Sequence, residues 1–455
     1  MSKKVCWGII GAGAIANAFA DGVVRSETGK LVAVGSRSLE KAEAFAEKWG
    51  VARAHGSYEA LLADESVQAV YIATPHPMHP EWAIKAAEAG KHILLEKPMA
   101  INSYLAETIL EAVVENNVFF MEAYMYRCHP QTAKLVELIR EKAIGDVNAM
   151  EASFTFRSEY SPNSRLWNND LAGGGILDVG GYATSITRLV AGAAVGKPFA
   201  DPVTVCGVGK LHEERGVDCW AVGAMKFDNG IVGTIRTGIG LAADNSFRVF
   251  GSEGSIVVPD PFAASRQGSQ NGRIIVRKNG APEQIIEIPS ELTSYVYEAD
   301  VCGRAILAKR TEAEAPAMTW EDSLGNLRAQ DQWRAAIGLT YESEKTKSLG
   351  SLTPANRPLA LNRNAPAPDM MLPGLDKPMS RLVFGVDNQS TMVHASAVFD
   401  DYFMRGGNVF DTAFVYGFKR SHLLGQWIKA RGVEDKVVVI AKGAHTPYCN
   451  PEDLE

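Results

Sequence analysis

Two short stretches of this chain hold side chains suited to moving a proton at a hydroxyl group. Glu96-Lys97-Pro98 follows an apolar run; a lysine there can orient a hydroxyl or carbonyl, and its charge lowers the pKa of a neighbouring acid. Further on, in GGGILDVGGYATS, Asp178 and Tyr182 are four apart, a spacing that puts both on one face of a helix. Tyrosine donates a proton competently when a cation pulls down its pKa of ~10, and Lys97 is the candidate cation. On spacing alone the alternative is a core tyrosine with a capping aspartate. The preceding Gly173, Gly174 and Gly175 let backbone approach something closely. Thr74, Pro75, His76 and His79 follow another apolar run, where contact with a cofactor is expected. His76 and His79 raise the question of metal, but no third ligand is spaced to join them, so no metal site is expected.

The opening GIIGAGAIA places Gly11, Gly13 and Ala16 directly after a strand pattern. Gly11 permits a tight turn, Gly13 lets backbone approach a pyrophosphate, and Ala16 allows close helix–strand packing. The helix start at Ala14 and Ile15 offers free N–H groups and a positive dipole end to phosphate. The second strand ends in VAVGSRSLEKA, with no acid before Glu40 to hold ribose hydroxyls. Ser36 and Arg37 suit a 2′-phosphate instead, so NADP is expected over NAD.

These residues need a frame. Strand patterns at Val5–Ile10, Leu31–Val34, Ala69–Ala73, Ile93–Leu95 and Val118–Met121 alternate with amphipathic helical segments, two of which end at Gly50 and Gly90. That predicts an α/β, doubly wound, parallel sheet of Rossmann type over residues 1–125. After about Ile144 the period moves towards two, through EASFTF, VTVCGVG, AVGAMKF, IVGTIRT, FRVFG, SIVV, RIIVRK and QIIEI. A helix is expected from Asp178 to about Val190, and another over TWEDSLGNLRAQDQWRAAIGL, opened by Thr319 and Asp322 as a capping box. Residues 126–345 are thus an α+β domain with an open, mostly antiparallel sheet. Residues 346–378, rich in Pro and Asn, read as a linker. Residues 379–455 resume a strand–helix rhythm, but are too few for a (β/α) barrel of about 250 residues.

Composition narrows the partners. Forty-six Lys+Arg against 53 Asp+Glu leave a charge of −7, without the basic surplus that nucleic acid attracts. No apolar run reaches the ~18 residues of a membrane span. Cys6, Cys128, Cys206, Cys219, Cys302 and Cys449 are scattered without a C-x-x-C pair, which fits a reducing compartment, and a cytoplasmic location is expected. The first residues are read as the first strand and helix rather than as an export signal.

Taken together, GxGxxA, TPHPMH, EKP and GGGxLDxGxY, in this order, resemble the Gfo/Idh/MocA oxidoreductases over about residues 3–345. The resemblance implies hydride transfer between a nicotinamide and a sugar, polyol or cyclic diol, and homo-oligomers formed through the open sheet. Lys97 would be the catalytic lysine. Tyr182 stands where many members have histidine, as in the dihydrodiol dehydrogenase and glucose–fructose oxidoreductase branches, and would be the general acid/base; Asp178 would orient substrate. The segment MEAYMYRCHP, with Arg127, is similar to one that lines the cofactor, and Arg165 and Trp167 are expected to border the pocket. Two other activities occur among relatives: a non-catalytic dinucleotide-binding regulator, and a glycoside hydrolase that uses NAD transiently. Lys97 and Tyr182 speak against the first, Arg37 against the second. The last segment resembles the start of an aldo/keto reductase, with Asp411, Tyr416 and Lys442 at catalytic positions and His445 too near Lys442 to be the later histidine. It is expected to be a truncated fusion partner, inactive as it stands.

Overall fold

The computed structural model describes residues 3–264, 271–345 and 348–443, in two compact units, Met1–Leu339 and Thr340–Glu455. In the first, the fully apolar β1 (Val5–Ile10) buries both its faces, which requires a central place in a sheet covered on both sides. The chain continues through α1 (Ala14–Arg25), β2 (Gly29–Gly35), α2 (Leu39–Trp49), β3 (Arg53–His55), α3 (Tyr58–Leu62), β4 (Ala69–Ile72), α4 (His79–Glu88), β5 (His92–Glu96), α5 (Ser103–Glu115) and β6 (Phe120–Ala123). All six strands are parallel, in the order β3-β2-β1-β4-β5-β6. The order reverses between β1 and β4, and ligands of such sheets lie beyond the strand ends at that point. Gly50 and Gly90 take the left-handed conformation at φ +64° and +69°, as the sequence indicates. β3 and α3 are additional; Arg-Ala-His and a five-residue helix carry no period to read.

The rest of this unit runs through α6 (Pro130–Arg140), β7 (Val147–Thr155), α7 (Gly181–Ala193), β8 (Pro202–Leu211), β9 (Asp218–Phe227), β10 (Val232–Gly238), β11 (Phe247–Gly251), β12 (Gly254–Val258), β13 (Gly272–Lys278), β14 (Gln284–Ile288), α8 (Ser294–Leu307) and α9 (Trp320–Ala336). The eight strands form one sheet, β14-β13-β12-β11-β7-β10-β9-β8, antiparallel except for the parallel pair β7–β10. Residues alternate along β9: Ala221, Met225 and Phe227 are buried, whereas Trp220 and Val222 are exposed.

Two local expectations need correction. The helix expected from Asp178 opens as a π-helical turn, Ile176–Gly180, and becomes α-helical only at Gly181. The capping box at Thr319 is half built: its side chain accepts the Asp322 N–H, but the Asp322 carboxylate turns inward. It lies between two fully buried arginines, 2.6 Å from Arg127 and also paired with Arg188, a stronger claim on the carboxylate than a backbone N–H.

The second unit holds β15 (Val383–Gly385), α10 (Met392–Met404), β16 (Val409–Ala413), α11 (Phe418–Arg431) and β17 (Val438–Lys442), its three strands parallel in chain order. Phe399, Phe410, Leu424 and Trp427 form its core. The stretch read as a linker belongs to this unit: Leu349 and Leu359 pack on the core, and Leu352 bridges Pro358. Residues 346–347 and His445 lie outside the described residues.

Candidate active site

The site is built from four strand ends and one helix start. Beyond β1, Gly11 has φ +97°, and a Cβ there would sit 2.9 Å from the Ala73 carbonyl oxygen, so both conformation and crowding demand glycine. Gly13 meets nothing within 4 Å where its Cβ would be, leaving its side of the turn open. Helix α1 has no capping side chain and no acid in its first turn, so its leading N–H groups remain available to an anion. Ala16 is fully buried against the sheet.

Ala14 and Ile15 line a cavity of about 740 Å³ that also takes in Thr74, Pro75, His76, His79, Glu96, Lys97, Asp178 and Tyr182. With Arg165, eleven residues singled out in the sequence thus share one cavity, although they come from five separate stretches. His79 spans the Thr74 and Pro98 carbonyls at 2.8 and 2.7 Å, tying the loop after β4 to that after β5. His76 reaches across to the Ala172 carbonyl at 3.3 Å. Burial lowers the His79 imidazole to about 4 against the pull of its two carbonyls, and burial, helped by Arg165, holds His76 well below the usual range. Among the described residues no cluster of His, Cys, Asp and Glu has the arrangement of a metal site.

The reactive groups meet at Asp178. Lys97 Nζ donates to the Asp178 backbone carbonyl at 2.6 Å and lies 3.7 Å from its carboxylate. Arg165 approaches the same carboxylate oxygen at 2.9 Å. Burial alone would raise this carboxyl, but the Lys97 and Arg165 cations overcome it and bring it down to about 2. Lys97 Nζ stands 5.3 Å from the centroid of the Tyr182 ring, and the Tyr182 hydroxyl is 3.5 Å from Met125 Sδ. Tyr124, Phe154 and Phe262 meet the tyrosine ring edge to face and fix its plane. Burial raises the Glu96 carboxyl, whereas adjacent Lys97 and the Tyr71 hydroxyl pull it the other way.

Two expected contacts are not made. Arg127 is wholly buried and does not line the cavity: it donates to Asp322, to Ser185 Oγ at 2.9 Å and to the Pro316 carbonyl. Trp167 turns away as well, donating to the Glu159 carbonyl and joining Tyr160 and His212 around a separate cavity of about 570 Å³. Its neighbours Arg165 and Leu166 border the first cavity. Ser36 is buried, with its Oγ accepting the Ser38 N–H, and Arg37 is exposed beside the Tyr58 hydroxyl; both lie past the end of β2, outside the cavity's lining. Sequence reading reached Met125 and Phe156 only through the stretches that hold them, and it did not single out Phe154, Val179 or Tyr295 in the lining. For Phe154 and Phe156 a signal existed, since their spacing of two on a strand aims both at one face. Tyr295 gave none: α8 brings it onto Gly22 of α1, where a Cβ would lie 2.7 Å from the tyrosine backbone.

Comparison with known proteins agrees with this fold. Residues 5–124 match the model of the GFO/IDH/MocA oxidoreductase family's NAD-binding Rossmann fold, and residues 132–257 match the GFO/IDH/MocA C-terminal domain. The chain is 32% identical to the mouse trans-1,2-dihydrobenzene-1,2-diol dehydrogenase, over 74% of this chain and 98% of the relative. It is 29% identical to the D-xylose 1-dehydrogenase (NADP(+)) 2 of Haloferax volcanii, over 75% and 97%. Among solved structures it is similar to the aldose-aldose oxidoreductase of Caulobacter crescentus, with a TM-score of 0.65 and 26% identity over 73% of this chain and 98% of that one. The first domain is an NAD(P)-binding Rossmann domain. Among the described residues no helix is long and apolar enough to cross a membrane.

Proposed function

The chain belongs to the Gfo/Idh/MocA oxidoreductase family, and from that premise we propose that it is an NADP-dependent dehydrogenase acting on a sugar, polyol or cyclic diol, with Tyr182 exchanging the hydroxyl proton. The observation that carries this reading is the convergence of Lys97, Asp178 and Tyr182 on the cavity that opens at the glycine turn. Two cations, Lys97 and Arg165, face two carboxyl groups, Asp178 and Glu96, so the site has little net charge and suits a neutral carbinol. The names of the mouse and Haloferax relatives, one for a diol and the other for an aldose, support the same substrate range.

The Gly11–Ile15 turn and α1 would hold the cofactor's diphosphate, and Arg37 its 2′-phosphate. When bound, the nicotinamide supplies the hydride-accepting or hydride-donating carbon. The protein's own part is to seat the carbinol: Lys97 and Arg165 donate to its oxygens, and Phe154 and Phe156 wall the cavity. In oxidation Tyr182, as the phenolate, takes the hydroxyl proton and becomes the neutral phenol. In reduction the phenol gives that proton to the carbonyl oxygen, and the Lys97 ammonium over its ring face stabilises the phenolate that accepts or remains. Preorganised placement carries the rate.

The test is a panel of aldoses, polyols, ketosugars and cyclic diols offered with NADP and with NAD, followed through nicotinamide absorbance. Turnover of at least one member with NADP is expected; an enzyme that binds NADP yet turns over none of them defeats the reading. Arg37→Gln is expected to raise KM for NADP by roughly 10–100-fold, the weight of a charge-assisted hydrogen bond, and to leave KM for NAD unchanged. Equal losses with both cofactors would remove Arg37 from phosphate recognition.

In the second unit, Lys442 Nζ lies 2.6 Å from the Asp411 carboxylate and 3.2 Å from the Tyr416 hydroxyl, which is itself 3.2 Å from Asp411. This trio supports the likeness to the start of an aldo/keto reductase. We assign it no part in the reaction above, so Lys442→Met leaves the panel unchanged. The exposed Val208, Trp220, Val222 and Val232 on the sheet face support assembly of copies through that face, which sedimentation of the purified protein measures.

A further inference from the structure

The glycine triplet that precedes the site approaches protein rather than ligand. Gly173 lies under the Arg165 and Leu166 carbonyls, while Gly174, at φ +104°, and Gly175 lie against the carboxylate of Asp218. A Cβ on Gly173 or Gly174 would overlap these groups, and one on Gly175 would press on Asp218 and on the Gly238 backbone at 3.1 Å. Asp218, the first residue of β9, is completely buried and does not line the cavity. Its Oδ2 accepts the Ile176 N–H at 2.9 Å, across 42 positions of chain.

Ile176 opens the π turn whose third residue is Asp178 and which leads into α7, where Tyr182 is the second residue. A helix start exposes N–H groups with no partner inside the helix, and neither the π turn nor α7 has a capping side chain of its own. Asp218 supplies the acceptor from a different strand. From the neighbouring strand, Thr237 Oγ1 donates to the Gly175 carbonyl at 2.9 Å, so the turn is gripped at both its polar groups. Burial raises the Asp218 carboxyl to about 7, against the backbone N–H groups of Ile176, Gly175 and its own residue and against the Arg334 cation.

We propose that Asp218 is a positioning residue: by capping this helix start from β9, it sets where Asp178 and Tyr182 stand relative to Lys97. The proposal rests on the reading of Tyr182 as acid/base. Its physical force comes from the tolerance of the Lys97–Asp178 contact. A 2.6 Å hydrogen bond to the Asp178 carbonyl does not survive a slide of one ångström along the helix axis, and misplacements of that size cost as much as 10²-fold in rate.

The experiment compares Asp218→Asn, Asp218→Ala and Tyr182→Phe in the full chain, each assayed for kcat, for NADP Kd and for thermal midpoint. Asn keeps an acceptor oxygen; Ala removes it. Loss of kcat per folded molecule is expected, of ~10²-fold for Ala and about 3–10-fold for Asn, with NADP Kd within about twofold of the parent. A purely structural role would lower the midpoint and the folded fraction but leave kcat per folded molecule in place. If Ala fails to fold, Asn carries the test through its kcat. Parental kcat in Asn, or in folded Ala, overturns the positioning role while the Tyr182 reading stands. Parental kcat in Tyr182→Phe overturns that reading and the positioning role with it.

Discussion

Tyr182→Phe is expected to lower turnover by ~10²–10⁴-fold, the range for a lost general acid/base, with NADP affinity unchanged. The substitution suits the site because the ring does the packing. Tyr124, Phe154 and Phe262 meet it edge to face, and all three contacts persist in phenylalanine. What disappears is the hydroxyl, now beside Met125 Sδ, and with it the proton exchanged with the carbinol. Steady-state kinetics on the best substrate from the panel, with a thermal midpoint to show that the fold is intact, decides the matter. A variant at full rate would falsify the assignment.

Asp322→Ala is expected to destabilise the first unit by about 3–5 kcal/mol, the cost of stripping a buried ion pair of one partner. Here one carboxylate serves two arginines, Arg127 and Arg188, both with no exposed surface. Arg188 keeps a second carboxylate at the half-exposed Asp201, but Arg127 is left with uncharged partners, the Tyr126 and Ser185 hydroxyls and the Pro316 carbonyl. Equilibrium denaturation of the two proteins measures the difference, and a loss below about 1 kcal/mol would mean that water reaches these arginines. The same geometry turns Arg127 from an expected cofactor contact into a folding determinant, so activity lost on replacing it should follow the folded fraction.

Much of the frame could be read before any coordinates. Uniformly apolar strands between amphipathic helices specify a covered parallel sheet, and the period-two strands from EASFTF to QIIEI all form, most of them burying one face while edge strand β14 stays largely exposed. Lys97, Asp178 and Tyr182 could be named through the resemblance of EKP and GGGxLDxGxY to a family's motifs, whereas spacing alone left a core tyrosine with a capping aspartate open. Arg127 and Trp167 went astray for a common reason: proximity in sequence to site residues does not give the direction of a side chain. Arg127 is turned by a carboxylate 195 positions away, and Trp167 by a carbonyl eight residues back, and neither partner leaves a local mark. The π turn was invisible likewise, since it arises where three glycines must pass Asp218.

The lone parallel pair in the eight-stranded sheet has its own corollary. Parallel neighbours cannot be joined by a tight hairpin, so between β7 and β10 the chain must leave the ladder and travel back to the same end. Arg165, Asp178 and Tyr182 all ride on that detour, and the stretch from 158 to 171 hangs outside any strand pairing within it. It is anchored by packing instead, with Trp167 against Val217, Cys219 and Ile239, and Asn169 donating to the Gly216 carbonyl. Arg165 and Leu166, which border the cavity, thus sit where no strand pairing constrains the sequence, and a redesign of the lining would begin there.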